Sequence, residues 1–157
     1  MPLVIKLDAG KGQQELTIFM EIKNSIMPSL EQLLKLNECS DSEPFHVLNL
    51  IKLNSKAQYA DGRESKLTGA EAYALYGHEQ QQHLREVGAE ILLVGQLEEL
   101  MIGQVEPDQW DFFAIVKYPN KSALRSFFSN PEWAKSNEHR VAGLKGQLLF
   151  STKILNV

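Results

Sequence analysis

The sequence lacks several features that would indicate a function directly: cysteine pairs, an excess of positive charge and long apolar stretches. It has one cysteine in 157 residues, Cys39, which excludes an intrachain disulfide and any cysteine-built metal cluster within one chain. Lys and Arg number 16 against 20 Asp and Glu, and the net charge of −4 argues against a surface that neutralises many phosphates of nucleic acids or anionic lipids. No apolar stretch approaches the roughly 20 residues that span a bilayer, and the first residues show no signal-peptide pattern. We therefore expect a cytoplasmic protein without a nucleic-acid or membrane partner.

Sequence motifs for cofactors, serine nucleophiles and metals are also missing. The chain has no glycine-rich dinucleotide loop, no Walker motif and no nucleophile elbow, so we expect no cofactor. His78 and His83 lie on one predicted helix, but their spacing of five residues separates them by about 140° around the helix axis. They therefore do not form the HExxH pair of a zinc protease. We expect a solvated helix face there, with a Glu79–His83 pair and no metal.

From Pro44 onward the hydrophobic pattern predicts strands and helices in the order β-α-β-β-α-β. The predicted elements are a strand Phe45–Leu53, a helix from the capping box Thr68–Glu71 to Gly88, a strand from Ile91, a strand Trp110–Tyr118, a helical stretch capped by Asn120 and again by Asn130, and a strand Gly146–Thr152. This order is the ferredoxin-like pattern of the α+β class, in which two helices cover one face of a four-stranded antiparallel sheet.

The ferredoxin-like pattern leaves the second sheet face without helices. Because the predicted strands are apolar on both sides and Phe45–Leu53 reads as buried on both faces, that face needs a partner. A homodimer packed sheet to sheet through a two-fold axis meets this need. The preceding residues 1–44 form an N-terminal extension with a predicted hairpin and a short helix from Pro28 to about Asn37, so the domain proper covers residues 45–157.

Several short motifs resemble the family catalogued as domain of unknown function 1330. In chain order they are Leu48–Lys52, Ala57–Tyr59, Asp61–Gly62, Leu67–Tyr73, Tyr76–Gly77, Trp110–Asp111, Tyr118–Pro119, Asn130–Glu132 and Arg140–Leu144. The resemblance covers about residues 28–152 and implies the dimeric α/β-barrel superfamily. Better-known members of that superfamily are cofactor-free monooxygenases, muconolactone isomerases and small dehydratases. The family itself implies no established reaction.

Polar groups inside apolar elements are the candidate ligand contacts, because a buried polar group needs a partner or a ligand. Asn49 lies within the first predicted strand, and Gln80 shares the inward stripe of the first helix with two tyrosines. A satisfied internal network explains these residues about as well as a pocket between sheet and helices. Trp110 fits a core or interface role better than a ligand platform, while Lys52, Tyr59 and Arg63 could rim an entrance. The candidate ligand-binding set is Asn49, Lys52, Tyr59, Tyr73, Tyr76, Gln80 and Trp110.

Asp111 and Arg140 are the candidate catalytic residues. A guanidinium can hold a carboxylate through two parallel hydrogen bonds, so Arg140 could orient an anionic substrate while Asp111 acts as the base. A structural salt bridge between the two side chains is slightly favoured over a catalytic pair.

These observations leave three classes of function open. The leading hypothesis is a homodimer that binds a small carboxylate or aromatic molecule between the sheet and the helices of each subunit. The first alternative is a cofactor-independent monooxygenase or isomerase-like enzyme, which rests on analogy of fold alone. The second is a non-catalytic interaction or assembly protein, for which a filled core is expected. Whether the protein is an enzyme is therefore not decided by the sequence.

Overall fold

The computed structural model describes residues 3–7, 14–18, 25–38, 43–103 and 110–152. Its elements are, in chain order, β1 (Leu3–Leu7), β2 (Gln14–Ile18), α1 (Leu30–Glu38), β3 (Phe45–Leu53), α2 (Gly69–Glu86), β4 (Glu90–Gln96), β5 (Phe112–Tyr118), α3 (Lys121–Ser129), α4 (Pro131–Gly143) and β6 (Leu144–Thr152). Cys39 lies outside the described residues.

Strands β3 to β6 form one antiparallel sheet in the order β4-β5-β3-β6. With α2 connecting β3 to β4, and α3 and α4 connecting β5 to β6, the domain has the predicted ferredoxin-like fold of the α+β class. The bounds of β3 are those expected, whereas β5 begins at Phe112 rather than at Trp110. No helix in the described part of the chain is long and apolar enough to cross a membrane.

The helix ends follow the local sequence signals. Thr68 and Glu71 form the capping box that begins α2, and Gly88, with a φ of 72°, follows the helix in the left-handed conformation that ends many helices. Asn120 caps α3, and Asn130 caps α4 immediately before Pro131. Each cap satisfies backbone N–H groups that the helix itself leaves without partners.

The core lies between the sheet and the helices. Its buried residues are Val47, Tyr76, Leu84, Ala89, Val116, Tyr118, Leu124, Phe127 and Trp133. Along β3 of the single chain only Val47 and Ile51 are fully buried, and the predicted burial of its second face, which needs a partner, stays a prediction. Val47 and Ile51 point toward the helices, and the residues that alternate with them are half-buried.

The opposite side of the sheet, called here the open face, carries apolar side chains, and none of the helices that the structure describes packs on it. Alternation along the strands and their register place seven of them there: Leu48, Leu50, Leu93, Phe113, Ile115, Leu148 and Phe150. Leu93 is 51% exposed and Phe150 is 47% exposed. The ring of Phe113 lies so close over Gly95 that a side chain at position 95 would overlap it.

Helices α2 and α4 approach each other closely where α4 ends. A Cβ atom placed on Gly143 would lie 2.6 Å from the carbonyl oxygen of Gly69 and 2.9 Å from the amide nitrogen of Tyr73. A Cβ atom on Gly69 would overlap the backbone of Asn54, at the end of β3. The two glycines therefore fix how near α4, α2 and the sheet can come to one another.

Residues 25–38 of the N-terminal segment contact the domain. Strands β1 and β2 pair with each other in antiparallel register, Ser25 forms a β-bridge with Gln147 of β6, and Leu36 of α1 packs against the core. The division into an extension of residues 1–44 and a domain of residues 45–157 stays a prediction.

Candidate functional site

Five polar side chains meet between the sheet and helices α2 and α4. They are called here the inner cluster: Asn49 (β3), Tyr73 and Tyr76 (α2), Arg140 (α4) and Gln147 (β6). The rings of Tyr73 and Tyr76 lie 5.5 Å apart, and the charge of Arg140 acts on the hydroxyls of both. The cluster thus combines three of the predicted ligand contacts with one predicted catalytic residue.

Arg140 orients two amide side chains across the sheet. Its Nη2 donates to Oε1 of Gln147 at 2.8 Å, and Nε2 of Gln147 then donates to Oδ1 of Asn49 at 3.0 Å. Nδ2 of Asn49 lies 3.4 Å from the carbonyl oxygen of Ala114, its acceptor in β5. Because a guanidinium only donates, it determines which end of each amide faces which neighbour.

No carboxylate among the described residues pairs with Arg140, which is half-buried. Its Nη2 also donates to the carbonyl oxygen of Ile26 at 2.6 Å, and its Nη1 donates to Oδ1 of Asn137 at 3.0 Å. All three acceptors are neutral. A partly desolvated positive charge that has only neutral partners destabilises the fold, because neutral acceptors compensate the lost hydration less well than a carboxylate does.

The salt bridge expected between Asp111 and Arg140 is not formed. One carboxylate oxygen of Asp111 accepts from the backbone N–H of Leu53 at 2.6 Å, and the other lies 3.4 Å from Nζ of Lys52. Asp111 precedes β5 and turns toward the end of the neighbouring strand β3. Asp111 therefore links the start of β5 to the end of β3, while Arg140 links α4 to β6.

The tyrosines of the inner cluster retain hydrogen-bonding capacity. The hydroxyl oxygen of Tyr76 accepts from Nε1 of Trp133 at 3.2 Å, and the hydroxyl of Tyr73 has no hydrogen-bond partner among the described residues. Burial raises the pKa of both hydroxyls, and the charge of Arg140 opposes this only in part. Both hydroxyls are therefore protonated donors at neutral pH. The polar groups of Asn49, Tyr73, Tyr76 and Gln80 form no hydrogen bonds with one another.

Alkaline pH is expected to destabilise the fold through its buried tyrosines. Burial raises the pKa of Tyr73, Tyr76 and Tyr118, so the folded chain keeps protons that the unfolded chain releases near pH 10. Their contribution to stability is complete below pH 10 and is lost as the pH rises above it, by about 1.4 kcal/mol at pH 11 for each of Tyr73 and Tyr118, whose pKa values are raised most clearly. Urea unfolding at pH 9 and pH 11 measures the loss. In Tyr118→Phe this loss of unfolding free energy should be smaller by the contribution of one tyrosine. An unchanged loss in that variant would contradict the raised pKa of Tyr118.

The other predicted contacts do not join the inner cluster. The hydroxyl of Tyr59 lies 2.8 Å from Nδ1 of His139, and the guanidinium of Arg63 stacks over the Tyr59 ring at 3.8 Å while also pairing with Glu138. These contacts attach the loop before α2 to α4. Lys52 pairs with Asp111. The side chains of Gln80 and Trp110, both half-buried, form no hydrogen bond within the described part of the chain.

The solvated helix face expected from His78 to His83 is confirmed at His78 and Glu79, which are exposed, and is wrong at His83. His83 is buried, and its Nδ1 lies 3.4 Å from Oε2 of Glu86 and 3.3 Å from Nδ2 of Asn130. It follows Tyr76 by seven residues, two helical turns, so it shares the inward stripe of α2. Among the residues that the structure describes, no group of three His, Cys, Asp or Glu could hold a metal ion.

Three residues of the site were not among the sequence candidates. Gln147 is a polar residue inside an apolar strand, the same signal that singled out Asn49, and could have been found by it. Asn137 lies one helical turn before Arg140, whereas Ile26 contributes only a carbonyl oxygen and has no sequence signal. An open cleft of about 490 Å³ borders this contact, lined by Ser25, Ile26, Asn54, Gln58, Val141, Leu144 and Lys145.

The chain is similar to a protein of known structure. No family model and no curated protein matches it. The RPA0582 protein of Rhodopseudomonas palustris, described as a protein of unknown function, is 30% identical in a crystal structure that covers 86% of this chain and 100% of that one, with a TM-score of 0.76. A crystal structure of the methylated RPA0582 protein is 33% identical, covers 86% of this chain and 98% of that one, and has a TM-score of 0.77. The chain therefore belongs to the family of the RPA0582 protein.

Proposed function

We propose that the protein binds a small anionic molecule, a carboxylate or an aromatic acid, at the inner cluster between the sheet and helices α2 and α4. The observation that carries this proposal is Arg140, which is half-buried and has neutral partners alone among the described residues. A ligand with a negative charge would supply the missing compensation. The ring of Phe112, packed edge-on against Tyr73 with ring centroids 5.5 Å apart, offers an apolar wall for the body of such a ligand.

The same residues favour binding over base-driven catalysis. A general base must lie within hydrogen-bond reach of the proton that it removes, and the carboxylate of Asp111 is held by Leu53 and Lys52. The inner cluster itself contains amides, phenols and a guanidinium, none of which is a base at neutral pH. A catalytic role for Asp111 with Arg140 stays a prediction, as does membership in the family of domain of unknown function 1330.

A thermal-shift screen against small carboxylates and phenolic acids tests the proposed function. A ligand that binds only the folded chain raises its apparent stability with the logarithm of ligand saturation. For any acid that shifts the wild type, titration calorimetry is repeated on Arg140→Gln and on Arg85→Gln, whose side chain is exposed on α2. We expect about a tenfold or larger loss of affinity in Arg140→Gln and none in Arg85→Gln. No shift by any acid, or equal affinity in both variants, would contradict the proposal.

We also propose that two copies associate through their open faces. The centre of the open face is apolar, and charged or titratable side chains lie at its ends, namely His46 and Lys117 at one end and Lys52 at the other. An apolar centre with a polar rim is the usual composition of a protein interface. The strand spacing gives the open face dimensions of roughly 20 by 25 Å, or about 500 Å², which is within the range of the largest apolar patches of monomers, and such patches are often functional. A second copy presents the same apolar face, so a two-fold arrangement covers both.

A further inference from the structure

The inner cluster offers hydrogen-bond donors that have no acceptor. The hydroxyl of Tyr73 has no partner among the described residues, and Tyr76 accepts from Trp133 without donating its own hydrogen to any of them. Three of the five N–H groups of Arg140 are in use, and two are left without an acceptor in the described part of the chain. Tyr76 is buried, and Tyr73 and Arg140 are half-buried. A donor that is withdrawn from water without gaining an acceptor is destabilising, so these groups favour a bound molecule that accepts.

Three of the four acceptor oxygens of the inner cluster are already bonded, and the hydroxyl oxygen of Tyr73 is the fourth. Oε1 of Gln147 accepts from Arg140, and Oδ1 of Asn49 accepts from Gln147. The oxygen of Tyr76 accepts from Trp133. A ligand head group with its own N–H or O–H hydrogens would therefore meet mainly other donors. The site thus discriminates by hydrogen-bond direction as well as by charge.

We propose that the head group of the ligand is an oxyanion without hydrogen-bond donors, bound jointly by the hydroxyls of Tyr73 and Tyr76 and by the guanidinium of Arg140. This inference rests on the proposed function and narrows its substrate class. Carboxylates and enolate-type or phenolate oxygens share this chemistry. Neutral amides, amines and alcohols do not. The two phenol groups make the site complementary to a delocalised negative charge on a planar head group.

Titration calorimetry of the full chain with three probes tests the inference. Benzoate carries a carboxylate, 4-nitrophenolate carries a phenolate oxygen, and benzamide has nearly the shape of benzoate but bears two N–H donors. We expect at least one of the two anions to bind about tenfold or more tightly than benzamide, with the preferred anion identifying the source of the oxyanion. Benzamide binding as tightly as both anions, or no binding of either anion, would overturn the inference.

Two tyrosine variants provide the matched comparison. Tyr73→Phe removes a hydroxyl whose pKa is lowered by the nearby charge of Arg140. Tyr118→Phe also removes a buried tyrosine hydroxyl, but the pKa of that hydroxyl is raised by burial and by Tyr76, without an effect of Arg140. We expect Tyr73→Phe to weaken binding of the preferred anion about tenfold and to leave benzamide unaffected, while Tyr118→Phe changes neither. If a ligand from the screen requires Arg140 but binds Tyr73→Phe and wild type equally, this inference fails and the proposed function stands.

Discussion

Gly143→Ala is expected to lower the free energy of unfolding by about 3 kcal/mol or more, a shift in melting temperature on the order of 10 °C for a chain of this length. The new methyl group would lie 2.6 Å from the carbonyl oxygen of Gly69 and 3.0 Å from Cβ of Tyr73. Both neighbours belong to the backbone or to its first side-chain atom, so neither can rotate away. Helix α4 would have to move off α2, which also strains the hydrogen bond from the amide of Asn54 to the carbonyl of Gly143.

Gly77→Ala is the matched control for this prediction. Gly77 lies within α2, and a Cβ atom added there meets no atom within 4 Å. Because alanine loses less backbone entropy than glycine in a helix, we expect this variant to gain up to about 1 kcal/mol. Urea unfolding of both variants measures the two changes. A loss below about 1 kcal/mol in Gly143→Ala would show that the two helices can separate at little cost.

Leu50→Lys is expected to convert the proposed dimer to a folded monomer. Leu50 lies at the centre of the open face, opposite Phe113 on one neighbouring strand and Leu148 on the other. In a dimer each copy would bury an unpaired ammonium, at a cost of roughly 3–5 kcal/mol, so the dissociation constant should rise more than about a hundredfold. In the monomer the new side chain points to solvent, so the fold should be retained.

Light scattering coupled to size-exclusion chromatography measures this change, with circular dichroism as the check on folding. Leu75→Lys is the matched control, because Leu75 is 45% exposed on α2, away from the sheet. It should leave the mass in solution unchanged. A wild-type chain that is monomeric at every concentration, or a Leu50→Lys variant that stays dimeric, would contradict association through the open face.

Local signals predicted the fold well. The capping box at Thr68 and the Asn130–Pro131 pair are determined by a few neighbouring residues, and the structure has helices beginning at both. The strand Phe45–Leu53 was equally clear, because its apolar run ends at a proline on one side and at a polar loop on the other. Such features require no knowledge of distant parts of the chain.

Side-chain partners were harder to predict, since they depend on how the elements pack. Asp111 was paired with Arg140 on charge alone, but the strand register places the backbone N–H of Leu53 within its reach. His83 was assigned to solvent because it is polar, although its spacing from Tyr76 indicates the inward stripe. The carbonyl of Ile26 reaches Arg140 from 114 residues away in the sequence, and no local pattern predicts such a contact.

The two outer strands of the sheet are protected from continued strand addition in different ways. At β6 the backbone N–H of Gln147 is bonded to the carbonyl of Ser25, so the N-terminal segment occupies the position that a foreign strand would need. At β4 a register shift between Ile91 and Leu93 interrupts the edge. Because exposed regular edges are templates for aggregation, variants that lack the first 27 residues should lose the first of these protections. We therefore expect the segment that binds Arg140 also to hinder polymerisation through the edge of the sheet.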